Sequence, residues 1–149
     1  MKRFRFRLDR VLALRVAAEK EEGRLLGEAA RVEEAQRRAA DAGAARHRAA
    51  EQQVAGQHDQ PQAAGTFINL GHALGQVAAE SAAQIELHRA ALARFDTLRE
   101  RYDAARVRRR ILERLRDQRH AAWRTEAARE EQRVIDEAAL GRRPEGQRP

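Results

Sequence analysis

The side chains best suited to chemistry here are histidines, carboxylates and arginines, and their spacing decides what each can do. The five histidines, His47, His58, His72, His88 and His120, stand singly. None pairs with another at the spacing of metal ligands, and no cysteine is present to complete a set, so no metal site is expected. His88 falls on an apolar stripe, where it reads as a tolerated polar residue of a core. Carboxylates are numerous, but each lies among arginines at helical spacing, the pattern of ion pairs on a solvated helix face. There is no glycine-rich phosphate loop and no nucleophile motif. Neither catalysis nor a cofactor is expected.

The denser signal is cationic. Arg106, Arg108, Arg109, Arg110, Arg114, Arg116 and Arg119 crowd one stretch, diluted only by Glu113 and Asp117. The formal net charge is +7, and Lys2 and Lys20 are the only lysines. Arginine is favoured where carboxylate or phosphate is gripped. The balance points to an acidic protein face, nucleic acid or an anionic membrane, with a merely solvated face as the plain alternative. Nucleic-acid binding lacks its usual companions, interleaved aromatics or a helix-turn-helix. Trp123, the lone tryptophan, suits burial against a partner or local packing on the first helix. Phe4 and Phe6 alternate with Arg3, Arg5 and Arg7. They suit an interfacial membrane arm or the first turn of a coiled coil. The continuation of Phe4 and Leu8 into a repeat favours the second.

The elements that must position these groups follow from the prolines. Only Pro61, Pro144 and Pro149 occur, and proline costs about 3 kcal/mol within a helix. The stretches between are dense in Ala, Arg, Glu, Leu and Gln, strong helix formers. With 36% charged residues of both signs and only 4% aromatics, the composition is that of a coiled coil. The expected fold is all-α, an elongated antiparallel two-helix coiled coil, forming one domain over residues 1–149. Helix 1 is expected over about residues 4–55, a turn over 56–65, helix 2 over about 66–140 and a polar tail over 141–149. Gly56, Asp59, Pro61 and Gly65 punctuate the turn. Thr66 is the expected N-cap of helix 2 and Gly141 its C-cap.

A seven-residue repeat runs along both helices. In helix 1 it reads Phe4, Leu8, Val11, Arg15, Ala18, Glu22, Leu25, Ala29, Val32, Gln36, Ala39, thinning to small residues such as Gly43. In helix 2 it reads Phe67, Leu70, Leu74, Val77, Ser81, Gln84, His88, Ala91, Phe95, Leu98, Tyr102, Ala105, Arg109, Leu112, beyond which the register is open. The alternation of three and four is the seam of a left-handed coiled coil. Folding at Pro61 places Phe4 near Asp117. An unpartnered end of helix 2 then carries Trp123, Val134 and Ile135. No segment approaches the ~20 apolar residues of a membrane span. Arg15 interrupts the apolar run after the basic start, so a cytoplasmic protein with its N-terminus retained is expected.

The opening Phe4-x-Phe6-x-Leu8-x-x-Val11-Leu12-x-Leu14-Arg15-x-x-x-Glu19 resembles the N-terminus of the flagellar export protein family FliJ. Leu112-Glu113-x-Leu115, followed by Glu130-Glu131-Gln132-x-Val134-Ile135-Asp136-Glu137, resembles its C-terminus, and the length matches. The resemblance implies a non-enzymatic stalk of the type III export apparatus. Such a stalk works in the cytoplasm, peripherally at the inner face of the membrane. Implied partners are the hexameric export ATPase, the export gate protein and export chaperones, with no specific nucleic acid. On this reading Phe4, Phe6, Leu8, Leu12 and Leu115 shape the terminal end, and Arg108, Arg109 and Arg110 face the ATPase. Trp123 adds a contact there, and Asp136 and Glu137 match the family pattern. The competing readings are a basic coiled-coil adaptor for RNA or ribosomes and a scaffold that dimerises through its overhang.

Overall fold

A computed structural model describes residues 3–57 and 64–140. It contains two helices, α1 (Asp9–Gln57) and α2 (Ala64–Leu140), and no strand among the described residues. The chain is all-α, an antiparallel two-helix coiled coil. The expected turn at Asp59 and Pro61, the C-cap at Gly141 and the tail to Pro149 lie outside the described residues. Gly56 and Gly65 are helical. Thr66 is not an N-cap, because α2 already begins at Ala64.

The helices divide into two compact units, residues 20–104 and residues 1–19 with 105–149. In the first, Gly23 approaches Tyr102, Glu33 meets His88 and Gly43 approaches Ser81. Moving up α1 therefore means moving down α2. The stripe expected on α2 is the observed one: every repeat position from Leu70 to Leu112 is shielded from solvent, except Phe67 at its start, which is 54% exposed. The core residues here are Ala29, Ala40, Ala91 and Leu98, with Ser81. Nothing in the described chain is fully buried, since a pair of helices covers only a narrow stripe of each.

On α1 the expected stripe is half right. Glu22, Leu25, Ala29, Gln36, Ala39 and Gly43 are shielded as expected, but Leu8, Val11, Arg15, Ala18 and Val32 are exposed, and Leu12, Glu19 and Glu33 turn inward beside Val11, Ala18 and Val32. Val32 is 50% exposed, and Glu33 beside it points inward. The reason is electrostatic. His88 Nε2 lies 2.9 Å from Glu33 Oε1, and Arg101 donates to Glu22 at 2.7 Å. A carboxylate with a cross-helix partner competes for the seam with an aliphatic that has none. Glu22 is only half satisfied, because its second oxygen is buried without a partner. Elsewhere the carboxylates form the solvated pairs their spacing predicts: Arg24 with Glu21 and Glu28, Arg37 and Arg38 with Glu34, and Arg89 with Glu86.

Candidate functional site

The second unit gathers most of the residues singled out from sequence. Its N-terminal segment is not the first helical turn. Residues 3–6 are non-helical, Asp9 N–H donates to Phe6 O at 3.2 Å, and α1 starts at Asp9. Asp9 favours this start, since a carboxylate in a first turn meets the positive end of the helix dipole. Phe6 and Leu12 are buried, at 8% and 7% exposure, so they pin the segment to the helices.

The non-helical stretch changes where Phe4 lands. An extended residue advances about 3.3 Å against ~1.5 Å in a helix, so Phe4 reaches farther along α2 than Asp117. Its ring meets His120 edge-on at 4.9 Å between centroids and Trp123 at 5.9 Å. His120 and Trp123 stack at 5.8 Å. Trp123 therefore lies in an aromatic cluster with the N-terminal segment and not in an unpartnered overhang. His120 carried no expectation beyond its failure as a metal ligand. The available signal was its place three residues before Trp123, on the same helix face. Past Ala127, which is buried, residues 128–139 are all exposed, including Val134 and Ile135. These two line a shallow groove with Trp123, Glu126, Glu130 and Glu131. Asp136 accepts from Gln132 at 2.8 Å, and Glu137 is exposed.

The arginines separate into two groups. Arg109 is half-buried on the seam and donates to both Glu19 and Glu113. These bonds, to Glu19 first and Glu113 second, hold its guanidinium above the ordinary arginine pKa, against the opposing effect of partial burial. Arg109 thus ties α2 to the start of α1. Arg116 reaches Asp117 at 3.4 Å. Arg106, Arg108, Arg110, Arg114 and Arg119 are exposed and make no ion pair with any described residue. Arg119 also lines a groove with Phe4, Arg5, Phe6, Arg7, Leu8 and Leu115, which brings the opening motif and the late Leu115 together.

This arrangement can bind but offers little to a reaction. Unpaired guanidiniums await an anionic group, and the grooves beside them are open and shallow. No cluster of potential metal ligands exists among the described residues, and none of their helices is long and apolar enough to cross a membrane. A family model described as "Flagellar FliJ protein" matches residues 4–143. No curated protein and no solved structure matches the chain.

Proposed function

Because the chain belongs to the flagellar FliJ protein family, with a role in flagellar protein export, we propose that it is a stalk and adaptor of the type III export apparatus. In this reading it binds the hexameric export ATPase and the export gate, works with export chaperones, and performs no catalysis itself. It acts in the cytoplasm, peripherally at the membrane-bound export complex.

The observation that carries the proposal is the family match across nearly the whole chain, residues 4–143. The arrangement of unit 1–19/105–149 supports it. Arg108 and Arg110 are exposed and without ionic partners there, as a contact with an acidic ring surface requires. Arg109 braces the helix that presents them, and Phe4, Phe6, Leu12 and Trp123 hold the terminal segment against it. Leu8, Leu115, Asp136 and Glu137 complete the proposed contact region. An RNA adaptor would use the same arginines, but their exposed neighbours Val107 and Ile111 give a base no ring to stack on.

The test is stimulation of a cognate export ATPase. The purified protein should hydrolyse no ATP alone and should accelerate hydrolysis by the assembled hexamer. Reversing Arg108 and Arg110 to Glu, with Arg109 kept, should remove the stimulation and leave helicity unchanged. Undiminished stimulation by that variant would refute the arginine contact. No stimulation by the unaltered protein would refute the stalk reading.

A further inference from the structure

The segment that precedes α1 has two faces. Along residues 3–7 exposure alternates: Phe6 is buried and Phe4 half-buried, while Arg3, Arg5 and Arg7 are exposed. A period of two is that of an extended chain with one face on a core. The inner face is held by its rings, Phe6 in the core and Phe4 on His120 and Trp123. The outer face carries three guanidiniums at intervals of about 6.6 Å, twice the rise of an extended residue. None of them has an ionic partner among the described residues. Asp9 lies beside Arg3 and Arg5 but pairs with neither.

The backbone here is as open as the charge. Among the described residues, its peptide groups take part in two bonds, Asp9 N–H to Phe6 O and Leu12 N–H to Leu8 O. Both use carbonyls of the segment. No N–H from Arg3 to Leu8 donates to a described residue, and the carbonyls of Arg3, Phe4, Arg5 and Arg7 accept from none. Such a run of unanswered donors and acceptors is the edge of a sheet with no neighbouring strand. A groove borders it, with Arg5, Arg7 and Leu8 on one wall and Leu115 and Arg119 on the other.

From this we infer that residues 3–8 take up, by strand addition, an extended segment of a partner protein that carries acidic residues at alternate positions. Side chains opposite one another on paired strands point to the same face. The guest's Asp and Glu therefore stand outward beside Arg3, Arg5 and Arg7. Its intervening residues turn inward with Phe4 and Phe6, towards Leu115, and are apolar in a matching guest. An acidic helix meets the arginines too, but its backbone groups are already bonded within it and leave the edge unanswered. Nucleic acid and lipid headgroups offer no ladder of peptide groups, and both rings face inward, away from a base or an acyl chain. The inference stands on the geometry of this segment and not on the export reading. Its assay contains no ATPase, so each can fail alone.

The experiment uses the full chain and a fluorescein-labelled peptide, Glu-Val-Glu-Val-Glu-Val-Glu. Anisotropy should report saturable binding that weakens as salt is added. A block-ordered peptide of the same composition should bind less tightly. Two further peptides are methylated on the valine nitrogens or on the internal glutamate nitrogens, which removes donors from opposite edges. One of them should lose affinity at least about tenfold, the scale of a few hydrogen bonds, and the other should bind as before. Arg5→Glu with Arg7→Glu, both at exposed sites, should weaken binding at least about tenfold by turning attraction into repulsion. Its helicity and Trp123 emission should be unchanged, which shows the segment still seated. Arg108→Glu with Arg110→Glu should leave peptide binding intact. Amide exchange should slow over residues 4–8 when peptide is bound. Equal affinity for the two methylated peptides, for the alternating and block-ordered peptides, or for the unaltered and Arg5/Arg7-reversed proteins would overturn the inference. So would an equal loss in the Arg108/Arg110 variant, or no saturable binding at all. Retention of single-stranded RNA or phosphatidylglycerol vesicles, lost on reversing Arg5 and Arg7, in the absence of peptide binding would overturn it as well.

Discussion

Gly43 offers a measurement of how closely the two helices approach. It is buried in the middle of α1, where glycine costs about 1 kcal/mol relative to alanine. A Cβ placed there would lie 3.5 Å from Ser81 Cα, and 3.8 Å from both Ser81 Oγ and Gln84 Cγ. Those are ordinary contacts, so a methyl group fits without displacing α2. Gly43→Ala should recover the helix propensity and add up to about 0.8 kcal/mol from burying the methyl, roughly 1–2 kcal/mol in all. At about 2–4 °C per kcal/mol for a chain of this size, the rise in Tm is on the order of 2–8 °C. Two other glycines calibrate it. Around Gly27 nothing lies within 4 Å, so Gly27→Ala should gain the propensity alone, about 1 kcal/mol. At Gly23 the new methyl would press to 3.3 Å from Tyr102 Cε2, so its gain should be smaller, because the ring must shift. Gly43→Val would drive further methyls at the Ser81 backbone and should fall below Gly43→Ala by about 1–3 kcal/mol. Thermal unfolding followed at 222 nm supplies all four values. A Gly43→Ala protein less stable than Gly27→Ala would mean the helices lie too close for a methyl, and a Gly43→Val protein as stable as Gly43→Ala would mean they lie farther apart; either result would refute the spacing described at Ser81.

Two further outcomes test other parts of the structure. Glu22→Leu should stabilise the protein by about 1 kcal/mol or more, because it removes a buried oxygen that has no partner and frees an exposed arginine at little cost; a fall in Tm would show that the Arg101 pair is worth more than this. Phe4→Ala should shift the emission of Trp123 to longer wavelength as water replaces the ring at 5.9 Å; an unchanged spectrum would place Trp123 outside the cluster.

Much of the fold is legible in the sequence because long helices obey few rules. The prolines delimit the two stretches, and the repeat on α2 from Leu70 to Leu112 is the observed stripe. The α1 stripe is less legible because apolar size is a poor guide where charge pairs reach across. The repeat places Val11 and Val32 on the seam, yet their neighbours Leu12 and Glu33 turn inward. Nothing in α1 alone announces that Glu33 has His88 opposite it. The N-terminal segment departs from the repeat for a local reason. Phe4 and Leu8 match the repeat by number, and the weaker cue, Asp9 as a first-turn acid, marks the true start. At the candidate site, the density of arginine is plain in the sequence. Which arginine is consumed as a brace is not, since that depends on Glu19 arriving from the other end of the chain.

The cross-helix pairs in unit 20–104 also bear on how the chain avoids misalignment. A track of alanines looks nearly the same after sliding by seven residues, so by itself it would tolerate a shifted partner. Such a slip would bring Glu33 opposite Ser81 or Phe95 instead of His88, stranding a carboxylate against a group that cannot answer its charge. The polar residues act like the teeth of a key, contributing less to holding the helices together than to rejecting every alignment but one.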